Sequence, residues 1–267
     1  MSFKRTIYGL PIMKMYRDRR IGALAARQRD HFGGFRFAGT SAFFDPDWER
    51  EERTVIEEQI GAADVFIDIG ANQGLYTCLA ARLGKQAIAV EPEAGNLRYL
   101  LSNIAANGFA VEVFATALGR ELGVVDIYGD GDTASLVPGW AATRRSFATK
   151  VAMNTLDNLF ADRWPDQALF IKMDVEGVEL AVLEGAERML SRTRKPAWLI
   201  ETFPVAFDAA QTPNAQYVPL FERMAGHGYE CTHAQTGEKV SLDQVREWAR
   251  RPCAKEVGRS NYLFRSP

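Results

Sequence analysis

At 267 residues, with 47% hydrophobic and 25% charged residues and a formal net charge of -2, the chain has the size and balance of one soluble α/β unit with an appendage. The charge excludes a general pull toward nucleic acid, and the three unpaired-looking cysteines, Cys78, Cys231 and Cys253, exclude a disulfide framework or a zinc site. No run approaches a membrane span and the N-terminus lacks an uninterrupted signal-peptide core, so a reducing cytoplasm is the expected compartment.

The first 29 residues carry eight basic side chains, Lys4, Arg5, Lys14, Arg17, Arg19, Arg20, Arg27 and Arg29, against Asp18 alone, interleaved with apolar residues. Contact with an anionic membrane surface is one reading. A cap that packs its apolar side on the following domain is favoured, because Pro11 interrupts any long amphipathic helix. Phe32 to Phe44, rich in Gly and Phe, reads as an extended or hairpin-like lead-in. Asp47 to Ile60 reads as a helix capped by Asp45 or Asp47, with a stripe of Trp48, Val55, Ile56 and Ile60, ended by Gly61. Residues 1–60 are thus a cap and lead-in helix, and residues 61–267 the main domain.

From Val65 onward, short apolar strands alternate with helical patterns. Val65 to Ile69, Ala87 to Val90 and Val111 to Ala115 are strands separated by helices, and Asn107-Gly108 closes the second helix. Gly123 to Tyr128 and Val151 to Thr155 are further strands around an irregular segment, Gly129 to Lys150, whose length marks it as functional or mobile. Ala168 to Met173 is a buried strand, Glu179 to Leu190 its helix, and Ala197 to Ile200 the next strand. A helix near Tyr217 to Ala225 and strands at Tyr229 to Thr232 and Asn261 to Phe264 complete the pattern. This alternation predicts an α/β fold with a doubly wound, mainly parallel sheet.

Two places carry chemistry. At the first, the strand ending in Asp68 enters a turn punctuated by Gly70, Asn72 and Gly74 before a helix, the pattern of a nucleotide-cofactor loop. A carboxylate inside such a turn repels a pyrophosphate but suits the sulfonium and ammonium of S-adenosylmethionine (SAM), by direct or water-mediated contact. The glycines are read as permitting close backbone approach, and Asn72 as tolerating the left-handed conformation required there. Glu91, 23 positions after Asp68, falls at the tip of the adjacent strand, where an acid accepts both hydroxyls of a ribose. A nicotinamide oxidoreductase also wants that acid, so Asp68 carries the choice.

The second place is the run Lys172 to Glu179. Asp174 at its strand tip and Glu201 at the next face the same crevice, and Gly177 permits a sharp turn. Either acid is a candidate to orient a hydroxyl acceptor and take its proton. Glu176 and Glu179 flank a helix start, where the dipole alone favours acids. No metal site is assigned. The alternative use of Asp174, Glu176 and Glu201 is to hold a divalent ion such as Mg²⁺. His227 and His233 are the other candidate bases. The segment Gly129 to Lys150, with Ser135, Trp140, Arg144 and Arg145, is read either as a cover over the acceptor or as a solvated loop.

The order of these elements, namely Asp68 to Gly74, Glu91-Pro92, Thr155 to Asp157, the run Lys172 to Glu179 followed by Leu183 to Ala186, and Glu201-Thr202, resembles the FkbM family of SAM-dependent methyltransferases. The match extends from about Trp48 to the terminal Asn261 to Phe264, and the Lys172 to Glu179 run is its most specific part. The resemblance implies a Rossmann-like, class I methyltransferase-type sheet and methyl transfer from SAM, usually to an oxygen of a small molecule or glycan. It implies cofactor contacts at Asp68, Gly70, Asn72, Gly74 and Glu91, with the adenine edge around Thr116 to Leu118, centred on Ala117. It says nothing of the first 40 residues. A domain that keeps the fold and binds nucleotide or partner without catalysis is the alternative. No nucleic-acid partner is expected, because no basic stripe with interleaved aromatics follows the N-terminal head.

Overall fold

The structure is a computed structural model, which describes residues 19–140, 148–205, 212–250 and 261–267. The basic residues Lys4, Arg5, Lys14 and Arg17 and the pair Arg144 and Arg145 lie outside the described residues. Among the described residues, no helix is long and apolar enough to cross a membrane.

A short helix over residues 19–25 leads to the antiparallel hairpin β1 (Arg29–His31) and β2 (Phe35–Phe37). Alternation aims Phe35 and Phe37 inward while Arg36 stays exposed. The helix α1 spans Arg50–Ala62, three residues later at its start than its sequence predicts. The cause is local: Asp45 Oδ1 accepts the Asp47 amide at 2.9 Å, so its carboxylate serves a turn before the helix. Glu49 then opens α1 in a left-handed conformation (φ 44°) with no side-chain cap, and Gly61 sits inside the last turn instead of ending it.

The central sheet follows. Its strands are β3 (Val65–Ile69), β4 (Gln86–Val90), β5 (Val111–Phe114), β9 (Leu169–Met173), β10 (Ala197–Glu201), β11 (Glu230–His233) and β12 (Asn261–Arg265). Their order is β11-β12-β10-β9-β3-β4-β5, with β12 antiparallel to both neighbours and the pairs from β10 to β5 parallel. Strands β3 and β9 are buried along their whole length, as parallel strands covered on both faces must be. The helices between them are α2 (Leu75–Arg82), α3 (Ala94–Asn107), α4 (Leu156–Phe160), α5 (Glu179–Glu184), α6 (Glu187–Leu190), α7 (Tyr217–Gly226) and α8 (Leu242–Ala249). The chain winds outward from β3 to β5, then restarts at β9 and winds the other way. The order therefore reverses between β3 and β9, and the crevice beyond their carboxyl ends is where such a fold binds ligands.

The strands Gly123 to Tyr128 and Val151 to Thr155 do not extend this sheet. They form one of their own, with β8 (Ala148–Asn154) between β6 (Ala117–Leu118) and β7 (Gly123–Tyr128). Strand alternation then divides the core. Val65, Ile67, Ile69, Ile171, Trp198 and Ile200 face α4 to α8, whereas Phe66, Phe170 and Leu199 face α1, α2 and the hairpin. The lead-in is tied down by polar contacts as well. Asn103 on α3 bridges Ala38 and Gln73 with bonds of 2.8–2.9 Å, and Asn107 holds both backbone groups of Arg36.

Candidate active site

The turn after β3 has the left-handed residues its sequence requires: Gly70 (φ 77°), Asn72 (φ 51°) and Gly74 (φ 87°). The glycines, however, admit other parts of the chain. A Cβ on Gly70 would lie 1.8 Å from the Asp174 carbonyl oxygen, and one on Gly74 would lie 2.4 Å from Leu100 Cδ1 on α3. Their small size lets the turn nest between the end of β9 and α3. The Gly70 and Ala71 amides bond the Val90 carbonyl at 2.9 and 3.1 Å, which fixes the turn to the tip of β4.

Beside that turn lies a cleft at the carboxyl ends of β3, β4 and β9. Gly70, Asn72, Glu91, Asn96, Thr116, Ala117, Leu118, Ile127, Ser135 and Asp174 are among its walls. Glu91 is almost fully buried and accepts the Asn72 and Glu93 amides at 2.8 Å each. Burial pushes its carboxyl up to about 8, although the two amides oppose the shift. Thr116, Ala117 and Leu118, where the resemblance puts an adenine edge, are buried residues of the cleft wall. Sequence reasoning missed Asn96, whose Nδ2 donates to the Gly131 carbonyl at 2.9 Å and pins the following loop to α3. The signal was present, since Glu93 caps α3 by accepting the Asn96 amide at 2.7 Å.

Asp68 and Gly74 are not among the cleft walls. Asp68 alternates to the α1/α2 face, where its buried carboxylate accepts a 2.6 Å bond from Thr77 Oγ1 on α2. Burial raises its affinity for a proton, and Lys172 and the Thr77 hydroxyl oppose this. Its carboxyl lies beneath the turn, outside the cleft.

The second constellation is drawn together. Asp174 lines this cleft and also a smaller adjoining cavity lined by Trp140, Glu176, Glu179, Glu201, Thr202, Phe203 and Asn214. Its carboxylate is partly open, with Oδ2 3.1 Å from the buried Lys172 Nζ. Burial, with Asp174, Glu52 and Glu176 nearby, holds the Glu201 carboxyl well above the usual range. Glu176 and Glu179 are bound up in the turn. Glu176 (φ 55°) accepts from Trp140 Nε1, and its carbonyl accepts from Ser135 Oγ. Glu179 accepts the Gly177 amide at 2.9 Å, and burial lifts its carboxyl to about 7. Gly177 (φ 98°) lies under the Trp140 ring, whose nearest atom would be 2.6 Å from an added Cβ. The segment Gly129 to Trp140 is therefore clamped over this turn. His227 and His233 line neither cavity.

The Thr155 to Asp157 motif is architectural. Thr155 caps α4 through the Asn158 amide, and Asp157 receives the Arg188 and Met189 amides at 2.8 and 2.9 Å. Among the described residues, no three His, Cys, Asp or Glu side chains gather as a metal-holding group.

The cleft suits SAM on its own chemistry. It offers a buried carboxylate at the β4 tip for a diol, an apolar wall for a base, and Asn72 Oδ1, which is buried with no hydrogen-bond partner among the described residues. When bound there, SAM supplies a methyl group on a sulfonium, a carbon already attached to a good leaving group. Gly70, Asn72, Glu91 and the wall at Ala117 are the residues that would hold it.

Comparison with known proteins agrees. The model of the methyltransferase FkbM domain matches residues 68–231, more than half of the chain. A comparison with curated proteins finds no match. Similar solved structures include a precorrin-6y C5,15-methyltransferase from Geobacter metallireducens GS-15, 15% identical over 73% of this chain and 78% of that one, TM-score 0.40. A SAM-dependent methyltransferase from Agrobacterium tumefaciens is 10% identical over 90% and 69%, TM-score 0.44. At these TM-scores the assignment rests on the family match and on the seven-stranded sheet itself. The chain belongs to the FkbM family and is a SAM-dependent methyltransferase with a Rossmann-like, class I methyltransferase-type fold.

Proposed function

We propose that the methyl group goes to an oxygen, a hydroxyl of a small molecule or glycan that enters the smaller cavity. The observation that carries this reading is the position of Asp174, which borders both the cofactor cleft and the acid-lined cavity beside it. A hydroxyl must lose a proton as it is alkylated, and a carboxylate within reach of both ligands can accept it, directly or through one water. Asp174, ion-paired with Lys172, takes that role. Glu201, whose proton is held tightly by burial, enters as a hydrogen-bond donor that orients the acceptor. Methyl transfer otherwise depends on alignment of oxygen, carbon and sulfur, which the clamped Trp140 segment supports by shaping the cavity wall.

Asp174→Asn keeps the shape and removes the base. Turnover should fall by ~10²–10⁴-fold while SAM affinity stays within about threefold. Unchanged turnover would remove Asp174 from this role. A divalent ion across Asp174, Glu176 and Glu201 is a weaker reading, because Glu176 already accepts from Trp140 Nε1.

A further inference from the structure

Strand alternation places a charge on the face where an apolar layer ends. On the α1/α2 side, Phe66, Phe170 and Ala197 are in register as one row of core, the next row along the same face is Asp68, Lys172 and Leu199, and Glu201 follows at the tip of β10. Asp68 and Lys172 are register partners on adjacent strands. Lys172 is 5% exposed, a burial rare for lysine unless it is paired. Its Nζ is 3.1 Å from Asp174 Oδ2 and 5.5 Å from the centre of the Tyr76 ring on α2. Asp68 on β3, Glu52 on α1 and Glu201 on β10 also act on it electrostatically. Glu49, just before α1, adds another acid, and Arg53 on α1 is the other cation facing Tyr76. Five carboxyl groups and one ammonium therefore meet where the cofactor turn and the acceptor acids adjoin.

We propose that Lys172 is a positioning residue: its ammonium is the shared counter-ion that keeps Asp68, under the cofactor turn, and Asp174, at the acceptor cavity, ionised and oriented when a cationic cofactor arrives. This rests on the reading of Asp174 given above, but it concerns the cofactor half of the site and needs no acceptor to be tested. The logic is that of buried charge. Removing one partner leaves the others uncompensated, and buried carboxyls without a cation take up protons. Lys172 alone lies close enough to Asp174 to form its ion pair among the described residues. Without that ammonium, the sulfonium and ammonium of SAM would themselves have to drive ionisation, and SAM binding would expel a proton that the wild type does not hold.

The test is isothermal titration of SAM into the wild type, Lys172→Arg and Lys172→Met at pH 7, in buffers of different ionisation enthalpy. Glu91 contributes the same proton release to all three, so the difference is the readout. Lys172→Met should release roughly 0.5–1 proton more per SAM than the wild type, and its affinity, lowered about tenfold at pH 6, should recover toward pH 8.5. Lys172→Arg should match the wild type in proton release. A folded Lys172→Met protein with wild-type proton release would overturn the proposal. If that variant does not fold, the wild type still decides, through the ¹⁵N resonance of the Lys172 side chain, assigned by its loss in Lys172→Arg. A persistent ammonium up to about pH 11 supports the counter-ion, and a neutral amine at pH 9 contradicts it. Failure of the wild type to bind SAM would strike the family-level activity instead, and so is distinguishable.

Discussion

Gly70→Ala probes the nesting of the cofactor turn against the acceptor acid, and Gly84→Ala is its internal control. Both glycines have similar left-handed φ angles, 77° and 74°, so both variants incur the strain of an L residue there, ~1–2 kcal/mol. They differ in space. Nothing lies within 4 Å of a Cβ on Gly84, whereas a Cβ on Gly70 would sit 1.8 Å from the Asp174 carbonyl oxygen, a backbone atom that no rotamer change can remove. Relief requires the turn and the β9 tip to separate by more than about 1 Å, at an overpacking cost of ~1–3 kcal/mol beyond the strain. Urea unfolding should therefore place Gly84→Ala ~1–2 kcal/mol below the wild type and Gly70→Ala ~2–5 kcal/mol below, ~1–3 kcal/mol more than its control. Because the separation moves Asp174 and the turn apart, SAM affinity should fall for Gly70→Ala and not for Gly84→Ala. Equal losses in the two variants, within about 0.5 kcal/mol, would refute the nesting argument.

Glu91, with its carboxyl raised to about 8, should bind a diol best when ionised, so SAM affinity should climb by up to about tenfold per pH unit between pH 6 and 8, then level off. Titration calorimetry of Glu91→Gln should give a flat, weaker profile; a slope unchanged in that variant assigns the linkage elsewhere. Glu52 is raised by burial from 4.5 to about 8 and accepts from Asn261 Nδ2 at 2.7 Å. The folded state therefore holds a proton that the unfolded chain releases, and stability is lost as pH rises from about 4.5 through about 8. Glu52→Gln should be increasingly stabilised over that window, by up to on the order of 5 kcal/mol, in thermal or urea unfolding; a stability gap that does not change with pH would contradict this. Trp140→Phe keeps a ring over Gly177 but removes the Nε1 donor to Glu176, so stability should fall by ~1–2 kcal/mol and the acceptor KM should rise more than kcat falls. A wild-type KM would detach the clamp from acceptor binding.

The alternating apolar runs were enough to read the parallel sheet, because β3 and β9 are buried on both faces and leave unbroken runs. The positions of Glu91 and Asp174 were legible for the same reason: each comes directly after the last residue of a buried strand. What was not legible depends on contacts distant in sequence. Nothing local distinguishes a glycine that admits a ligand from one that admits a carbonyl 104 positions later, as Gly70 does with Asp174. The sequence places Asp68 at the cofactor loop but not the side of β3 it takes, which its parity sets toward Thr77. The same parity places Lys172 beside it, but only once the β3–β9 register is known. The start of α1 was misplaced because an Asx-type turn at Asp45 competes with capping, a balance that neighbouring residues do not decide.

The most direct test of the account is the atom that receives the methyl group. Incubation with SAM labelled by ¹³C in its methyl group, against a panel of sugars and small hydroxylated and amino metabolites, followed by NMR of the products, identifies it. The account predicts a ¹³C-methyl ether whose formation is lost in Asp174→Asn. A methyl group on nitrogen or carbon, or undiminished ether formation by Asp174→Asn, would contradict it.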